Sequence, residues 1–137
     1  MSQRFYGSQM VELLNLCSVN LATLGNHEFD FGAEVLNQRL KEARFTTVLA
    51  NALAPPTFDL KPVVFWPTEK PFLAITGLAG NQTLVKAEKN GFIRKNPAEA
   101  VDKLLGDLRT RSAVGALVVL SHMERNEDME IQKKLSE

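Results

Sequence analysis

The sequence contains few cysteines and histidines. Its 137 residues include one cysteine and two histidines. Because a lone cysteine forms no disulfide within its own chain, the sequence gives no sign of an oxidising compartment. Cys17 follows Met10, Leu13 and Leu14 at the spacing of one helix face, and this pattern predicts a buried thiol with no chemical role.

The chain also lacks a net charge of either sign, and it has no long apolar runs. Lys+Arg and Asp+Glu number 16 each, whereas nucleic acids and anionic membranes attract proteins with a basic surface. No stretch approaches the roughly 20 apolar residues of a membrane span, and residues 1–8 lack the apolar run of a secretory signal. We therefore expect neither nucleic acid as a partner nor a membrane segment in this chain, while its compartment stays open.

Periodic apolar residues predict one domain in which helices and strands alternate, which is an α/β class with layered architecture. The prediction places helices at 7–17, 32–44 and from 96 onward and a hairpin at 63–66 and 72–77. It also places a short strand at 19–24, a buried strand at 45–50 and a central strand, covered on both faces of its sheet, at 113–120. Asn96 and Pro97 suit a helix start, since asparagine caps free amides and proline fits the first turn. The polar segment 80–91 is predicted to be a surface loop.

A polar turn at residues 25–32, Gly-Asn-His-Glu-Phe-Asp-Phe-Gly, holds the first histidine, His27, between a strand and a helix. The second, His122, ends another predicted strand. If the two strands are parallel, both histidines reach the carboxyl edge of one sheet, where ligands bind in α/β proteins. The alternative is a pair of histidines without function. A zinc-protease helix is excluded because Phe31 occupies the place of its second histidine.

Residues 25–32 resemble the Gly-Asn-His-Glu-Phe-Asp block of the calcineurin-like metallophosphoesterases, in the form found in the 5'-nucleotidase branch. The segments 48–51 and 118–123 are similar to that family in order and spacing. The resemblance implies a layered α/β/β/α sandwich. It also implies that residues 1–137 form a single partial catalytic domain, truncated at both ends.

The resemblance implies a role for each polar residue of the turn. Asn26 and His122 are expected to bind the second ion of a two-metal centre of the zinc, manganese or iron type. His27 is expected to face the phosphate as a catalytic residue, with Asp30 holding its ring. Glu28 is expected to stabilise the turn. The implied reaction is in-line attack of a metal-bridging hydroxide on a nucleotide or another phosphate ester.

The sequence departs from the family pattern in its metal ligands. It has neither the Asp-x-His and Gly-Asp motifs that precede the block in relatives nor the Gly-His-x-His motif that follows it. The C-terminal substrate domain of these nucleotidases is absent as well. We therefore expect an incomplete metal site and an inactive isolated chain, as an internal piece of a nucleotide-hydrolysing enzyme. The alternative is a non-catalytic α/β binding module. Relatives are often secreted, periplasmic or surface-attached, and the oligomeric state stays open.

Overall fold

Helices and short strands alternate along the chain, as the sequence predicts. A computed structural model describes residues 5–70, 72–110 and 114–135. The helices are α1 (Ser8–Leu16), α2 (Gly32–Glu42), α3 (Asn81–Lys89), α4 (Pro97–Arg109) and α5 (Arg125–Leu135), with a short 3-10 helix at Asn26–Phe29. The strands are β1 (Leu21–Ala22), β2 (Thr46–Thr47), β3 (Ala52–Leu53), β4 (Val64–Trp66), β5 (Leu73–Ala79), β6 (Ile93–Arg94) and β7 (Ala116–His122). The predicted α/β class is correct.

The largest sheet has the order β4-β5-β7. Strands β4 and β5 are antiparallel, which confirms the predicted hairpin, and β5 runs parallel to β7 from Leu73 opposite Ala116 to Ala79 opposite His122. Strand β5 is the more deeply buried of the parallel pair, since Ala74, Leu78 and Ala79 have no exposed surface. The prediction that the strand at 113–120 is covered on both faces is wrong, because no residue of β7 is fully buried; residue 113 lies outside the described residues.

Strands β1 and β2 form a parallel pair that joins β5 through the backbone. The amide of Ala50 donates to the carbonyl of Gly77 at 2.9 Å, and the Thr23 hydroxyl donates to the Val48 carbonyl at 2.9 Å. A Cβ atom at position 77 would overlap the Val48 carbonyl oxygen. Glycine at this position therefore allows the two backbones to approach closely. Strands β3 and β6 form a separate antiparallel pair.

The main core lies under the polar turn. It contains Leu24, Phe29, Leu36, Leu49, Ala52, Ala79, Leu84, Ala87 and Phe92. Phe29, from the 3-10 helix, is 4% exposed and meets the Phe92 ring edge-on with centroids 5.3 Å apart. Aromatic burial of this kind is among the larger contributions to a core. The turn that carries the candidate residues is thus anchored by an apolar side chain beneath it.

The predicted loop at 80–91 is wrong, because most of it forms α3. Thr83, Leu84 and Ala87 face the core and are 1% exposed, so the helix is amphipathic. Its buried stripe consists of two aliphatic residues and a threonine, which the surrounding polar residues hide in the sequence. Tertiary packing therefore stabilises a helix that the local pattern does not indicate.

The predicted burial of Cys17 is also wrong. Cys17 is exposed, as are Met10 and Leu13, and α1 has no fully buried residue. The apolar stripe of α1 is real, but part of it borders an open cavity rather than a packed core. No helix in the described part of the chain is long and apolar enough to cross a membrane.

Candidate functional site

Asn26 and His122 lie side by side although 96 positions separate them. The distance from Asn26 Oδ1 to His122 Nε2 is 3.2 Å. Asn26 opens the 3-10 helix that follows β1, and His122 is the last residue of β7. The predicted convergence of the polar turn with the second histidine is therefore found in the structure.

Two glycines make room for this contact. A Cβ atom on Gly25 would lie 2.6 Å from His122 Nε2, and one on Gly80 would lie 2.9 Å from the Met123 Cα. Gly25 has an ordinary extended conformation, so lack of space for a side chain, rather than a positive φ, explains the glycine. The Gly80 amide donates to the His122 carbonyl at 2.8 Å, which fixes the backbone beneath the ring.

Asn26 and His122 line a polar cleft of about 270 Å³. Its other lining residues come from the start of α3 and the segment that enters α5: Gly80, Gln82, Thr83, Ser121, Met123, Glu124 and Glu127. Glu127 joins these two segments, since its carboxylate accepts from the amides of Asn81 at 3.0 Å and Glu124 at 2.8 Å. The sequence does not point to Glu127, because its contact with Asn81 spans 46 positions.

Glu28 stabilises the turn from within. Its Oε2 accepts from the Gly25 amide at 2.7 Å, three positions back. The carboxylate thereby satisfies one of the free amides at the beginning of the 3-10 helix. The geometry agrees with the role in the turn that the family resemblance implies for this glutamate.

His27, Asp30 and Lys86 form a connected polar chain. His27 Nδ1 is 2.8 Å from Asp30 Oδ2, and Lys86 Nζ, from α3, is 2.5 Å from Asp30 Oδ1. The hydrogen bond from Lys86, followed by that from His27, lowers the pKa of Asp30 below its usual value. Asp30 therefore stays ionised while it accepts from both neighbours. The sequence does not point to Lys86, because its segment is predicted to be a loop.

The structure does not connect the Asn26–His122 pair with the His27–Asp30 pair. Within the described residues no hydrogen bond links the His27–Asp30 pair to Asn26 or His122. His27 borders a different and mainly apolar cavity of about 170 Å³ between α1, α2 and the β1–β2 pair. Its side chain is 63% exposed, so the ring is accessible to a ligand from solvent.

The Asn26 and His122 donors suit a shared metal ion. Two ligand atoms bound about 2.1 Å from one ion at a tetrahedral angle are about 3.4 Å apart, close to the 3.2 Å found here. An amide oxygen with an imidazole nitrogen fits zinc, manganese or iron better than calcium. Across residues 5–70, 72–110 and 114–135, however, no three His, Cys, Asp or Glu side chains cluster as a ligand set. The residues present thus fit part of one coordination shell.

Known proteins are similar to this chain in both sequence and fold. The NAD 5'-nucleotidase of Haemophilus influenzae is 25% identical over 138 residues, which cover 97% of this chain and 23% of that protein. The solved structure of H. influenzae NAD nucleotidase (NadN) matches 93% of this chain and 23% of its own, with a TM-score of 0.79 and 24% identity. No family model matches the sequence.

Two further structures agree. A 5'-nucleotidase precursor from Thermus thermophilus is 27% identical with a TM-score of 0.74, over 93% of this chain and 26% of its own. The calcineurin-like phosphoesterase YfkN of Bacillus subtilis has a TM-score of 0.65 at 20% identity, over 82% of this chain and 37% of its own. This chain carries part of the fold of these metallophosphoesterases, and in sequence it is similar to the 5'-nucleotidase branch. It spans about a quarter of the length of the nucleotidase relatives that it matches.

Proposed function

We propose that this metallophosphoesterase chain supplies part of the active site of a metal-dependent phosphomonoesterase that hydrolyses nucleotides. The observation that supports it best is the 3.2 Å contact between Asn26 Oδ1 and His122 Nε2. Both are metal-binding atom types, and a strand end and a turn distant in sequence bring them together. The relatives named as nucleotidases favour a nucleotide as the phosphate ester.

In this proposal Asn26 and His122 bind one divalent ion of the zinc, manganese or iron type. Such ions, when bound, lower the pKa of a coordinated water and neutralise the charge that develops on phosphate oxygens. Asn26 would contribute an amide oxygen and His122 an imidazole nitrogen, so neither residue would offset the positive charge of a bound ion. The remaining ligands are expected from Asp-x-His and Gly-Asp motifs before the 25–32 block and a Gly-His-x-His motif after it, and none of these stands in its family position in the 137 residues.

His27 is proposed to act directly on the phosphate ester. Asp30 accepts a hydrogen bond from Nδ1 of His27, so Nε2 is the ring nitrogen that remains to contact the substrate. From there the ring donates a hydrogen bond to a phosphate oxygen or a proton to the leaving alcohol.

A non-catalytic α/β binding module is the second candidate. It is favoured by the lack of a three-residue metal-ligand cluster in the described ranges. A module of this kind keeps the fold and the polar turn without hydrolysing phosphate esters. Both candidates predict that the 137-residue chain is inactive by itself, so the chain alone does not separate them.

The discriminating experiment starts from the flanking coding sequence. We expect the Asp-x-His and Gly-Asp motifs before residue 1 and a Gly-His-x-His motif after residue 137; unrelated sequence on both sides removes the enzymatic proposal. The extended protein is then assayed for phosphate release from AMP with added Mn²⁺. His27→Ala is expected to lower kcat by about 10²-fold or more, as for loss of a general acid, while Lys89→Met at an exposed site is expected to leave it unchanged.

A further inference from the structure

Lys86 reaches the candidate turn from a separate element. Its Nζ is 2.5 Å from Asp30 Oδ1, across 56 positions of sequence. Asp30 Oδ2 is 2.8 Å from His27 Nδ1, so the two oxygens of one carboxylate have different partners. A carboxylate that accepts a hydrogen bond at only one oxygen can still turn about its Cβ–Cγ bond. A carboxylate that accepts at both oxygens is held in a single orientation.

The backbone of Lys86 is itself well fixed. Its neighbours in α3, Leu84 and Ala87, are 1% exposed and belong to the same core cluster as Phe29 of the 3-10 helix. The Asn90 side chain donates to the Lys86 carbonyl at 2.8 Å near the end of α3. Helix α3 and the turn are thus packed on one core, and the ammonium group extends from one to the other. The Lys86 side chain therefore extends from a fixed backbone position.

We propose that Lys86 is a positioning residue, which acts through Asp30 to set the orientation of His27. Lys86 holds Oδ1, so that Oδ2 accepts from Nδ1–H of the ring and Nε2 is the ring nitrogen that faces the substrate. The consequence for catalysis rests on the proposed function, whereas the orientation itself does not. The opposing interpretation is a surface ion pair without effect on the ring, since Lys86 and Asp30 are 38% and 32% exposed and exposed pairs contribute little to stability.

The test measures which nitrogen of His27 carries the proton. Histidine ¹⁵N chemical shifts of the full 137-residue chain distinguish the two neutral forms, read at one fixed pH above the imidazole titration range. Lys86→Met is expected to lower the ratio of the Nδ1–H to the Nε2–H form by about threefold, the size of an exposed charged contact. Lys86→Arg is expected to keep the ratio, because the guanidinium also donates to a carboxylate.

Two controls make the result decisive. Lys89→Met, at an exposed position of the same helix, is expected to leave the His27 ratio unchanged. The ring signals of His122 serve as an internal control for the fold of the turn. An unchanged His27 ratio in Lys86→Met overturns the proposal, and so does a change that His122 shows equally, since that indicates a general loss of structure.

A kinetic measurement separates this proposal from the proposed function. In the extended protein, Lys86→Met is expected to lower kcat for AMP with little change in KM, and by less than His27→Ala. An altered ring ratio in a protein without phosphatase activity supports the positioning role and removes the enzymatic one. An unaltered ratio in an active enzyme removes the positioning role of Lys86 and supports the enzymatic function.

Discussion

At Gly25 a single hydrogen atom stands where another residue would place a methyl group against the ring of His122. Gly25→Ala puts a Cβ 2.6 Å from His122 Nε2, well inside the van der Waals contact distance of a methyl carbon and a ring nitrogen. We expect the ring to move away from Asn26 and the unfolding free energy to fall by about 1–3 kcal/mol, as for other overpacking changes. Urea unfolding and the Asn26–His122 nuclear Overhauser contact measure the two effects.

The matched control is Gly106→Ala in α4. A Cβ atom there meets nothing within 4 Å, and alanine is favoured over glycine in a helix by about 0.5–1 kcal/mol. The control is therefore expected to stabilise the chain. If Gly25→Ala behaved in the same way, the close approach of His122 to the turn would be contradicted.

Asp30 gives a pH dependence with a defined sign. Hydrogen bonds from Lys86 and His27 lower its pKa below 3.8, so its ionised form contributes stability that is fully present above that value. This contribution is lost as the pH falls through the lower pKa of the folded chain. We expect the difference in unfolding free energy between wild type and Asp30→Asn to shrink on acidification below about pH 4. A difference that grows there would contradict the assignment, and Lys86→Met should weaken the trend.

Single residues are only partly predictable from the sequence. Asn26 follows β1 and His122 ends β7, and the sequence marks both as polar residues at the ends of predicted strands, so their convergence is predictable. Lys86 and Glu127 cannot be predicted in this way. Each makes its contact across about fifty positions, between polar segments of ordinary composition. Such contacts depend on how helices dock, which local pattern does not encode.

At the scale of elements, the start of α4 is the clearest success of local reasoning. The Asn96 side chain accepts from the amides of Ala98 at 2.9 Å and Glu99 at 3.3 Å, with Pro97 in the first turn. The helix also has a buried stripe at helical spacing, which consists of Val101, Leu104 and Leu108. Capping chemistry and helical periodicity are local properties, so the sequence alone predicts them.

This cap makes a direct stability prediction. Asn96→Ala removes both hydrogen bonds and is expected to lower the unfolding free energy by about 1 kcal/mol. Asn96→Asp keeps an accepting oxygen and is expected to stay near wild type. Thermal melts followed by circular dichroism test both. Equal melting points for the alanine variant and wild type would show that the cap contributes nothing.

Helix α3 and strand β7 show where element prediction fails. The helix is hidden in the sequence because Thr83 takes a core position that an aliphatic residue usually fills. Strand β7 is as apolar as a central strand, yet it pairs only with β5 among the described strands. Apolar composition predicts that a segment is suited to burial, and the partners present decide whether it is buried.

At the scale of the whole molecule, the described residues form two apolar core clusters and a polar cleft, with further apolar side chains at the surface. Leu16, Trp66, Phe72 and Ile93 are each more than half exposed. The match covers about a quarter of the length of the nucleotidase relatives. Fold class and family are predictable because the 25–32 block is specific, whereas substrate and metal are not.

The central claim is that Asn26 and His122 bind one metal ion together. The direct measurement is an NMR titration of the 137-residue chain with Mn²⁺, whose unpaired electrons broaden nearby signals even when binding is weak. We predict that the Asn26 side-chain amide and the His122 ring broaden first and in parallel, and that Asn26→Ala or His122→Ala abolishes the effect. Broadening that spares this pair, or that persists unchanged in both variants, would contradict the account.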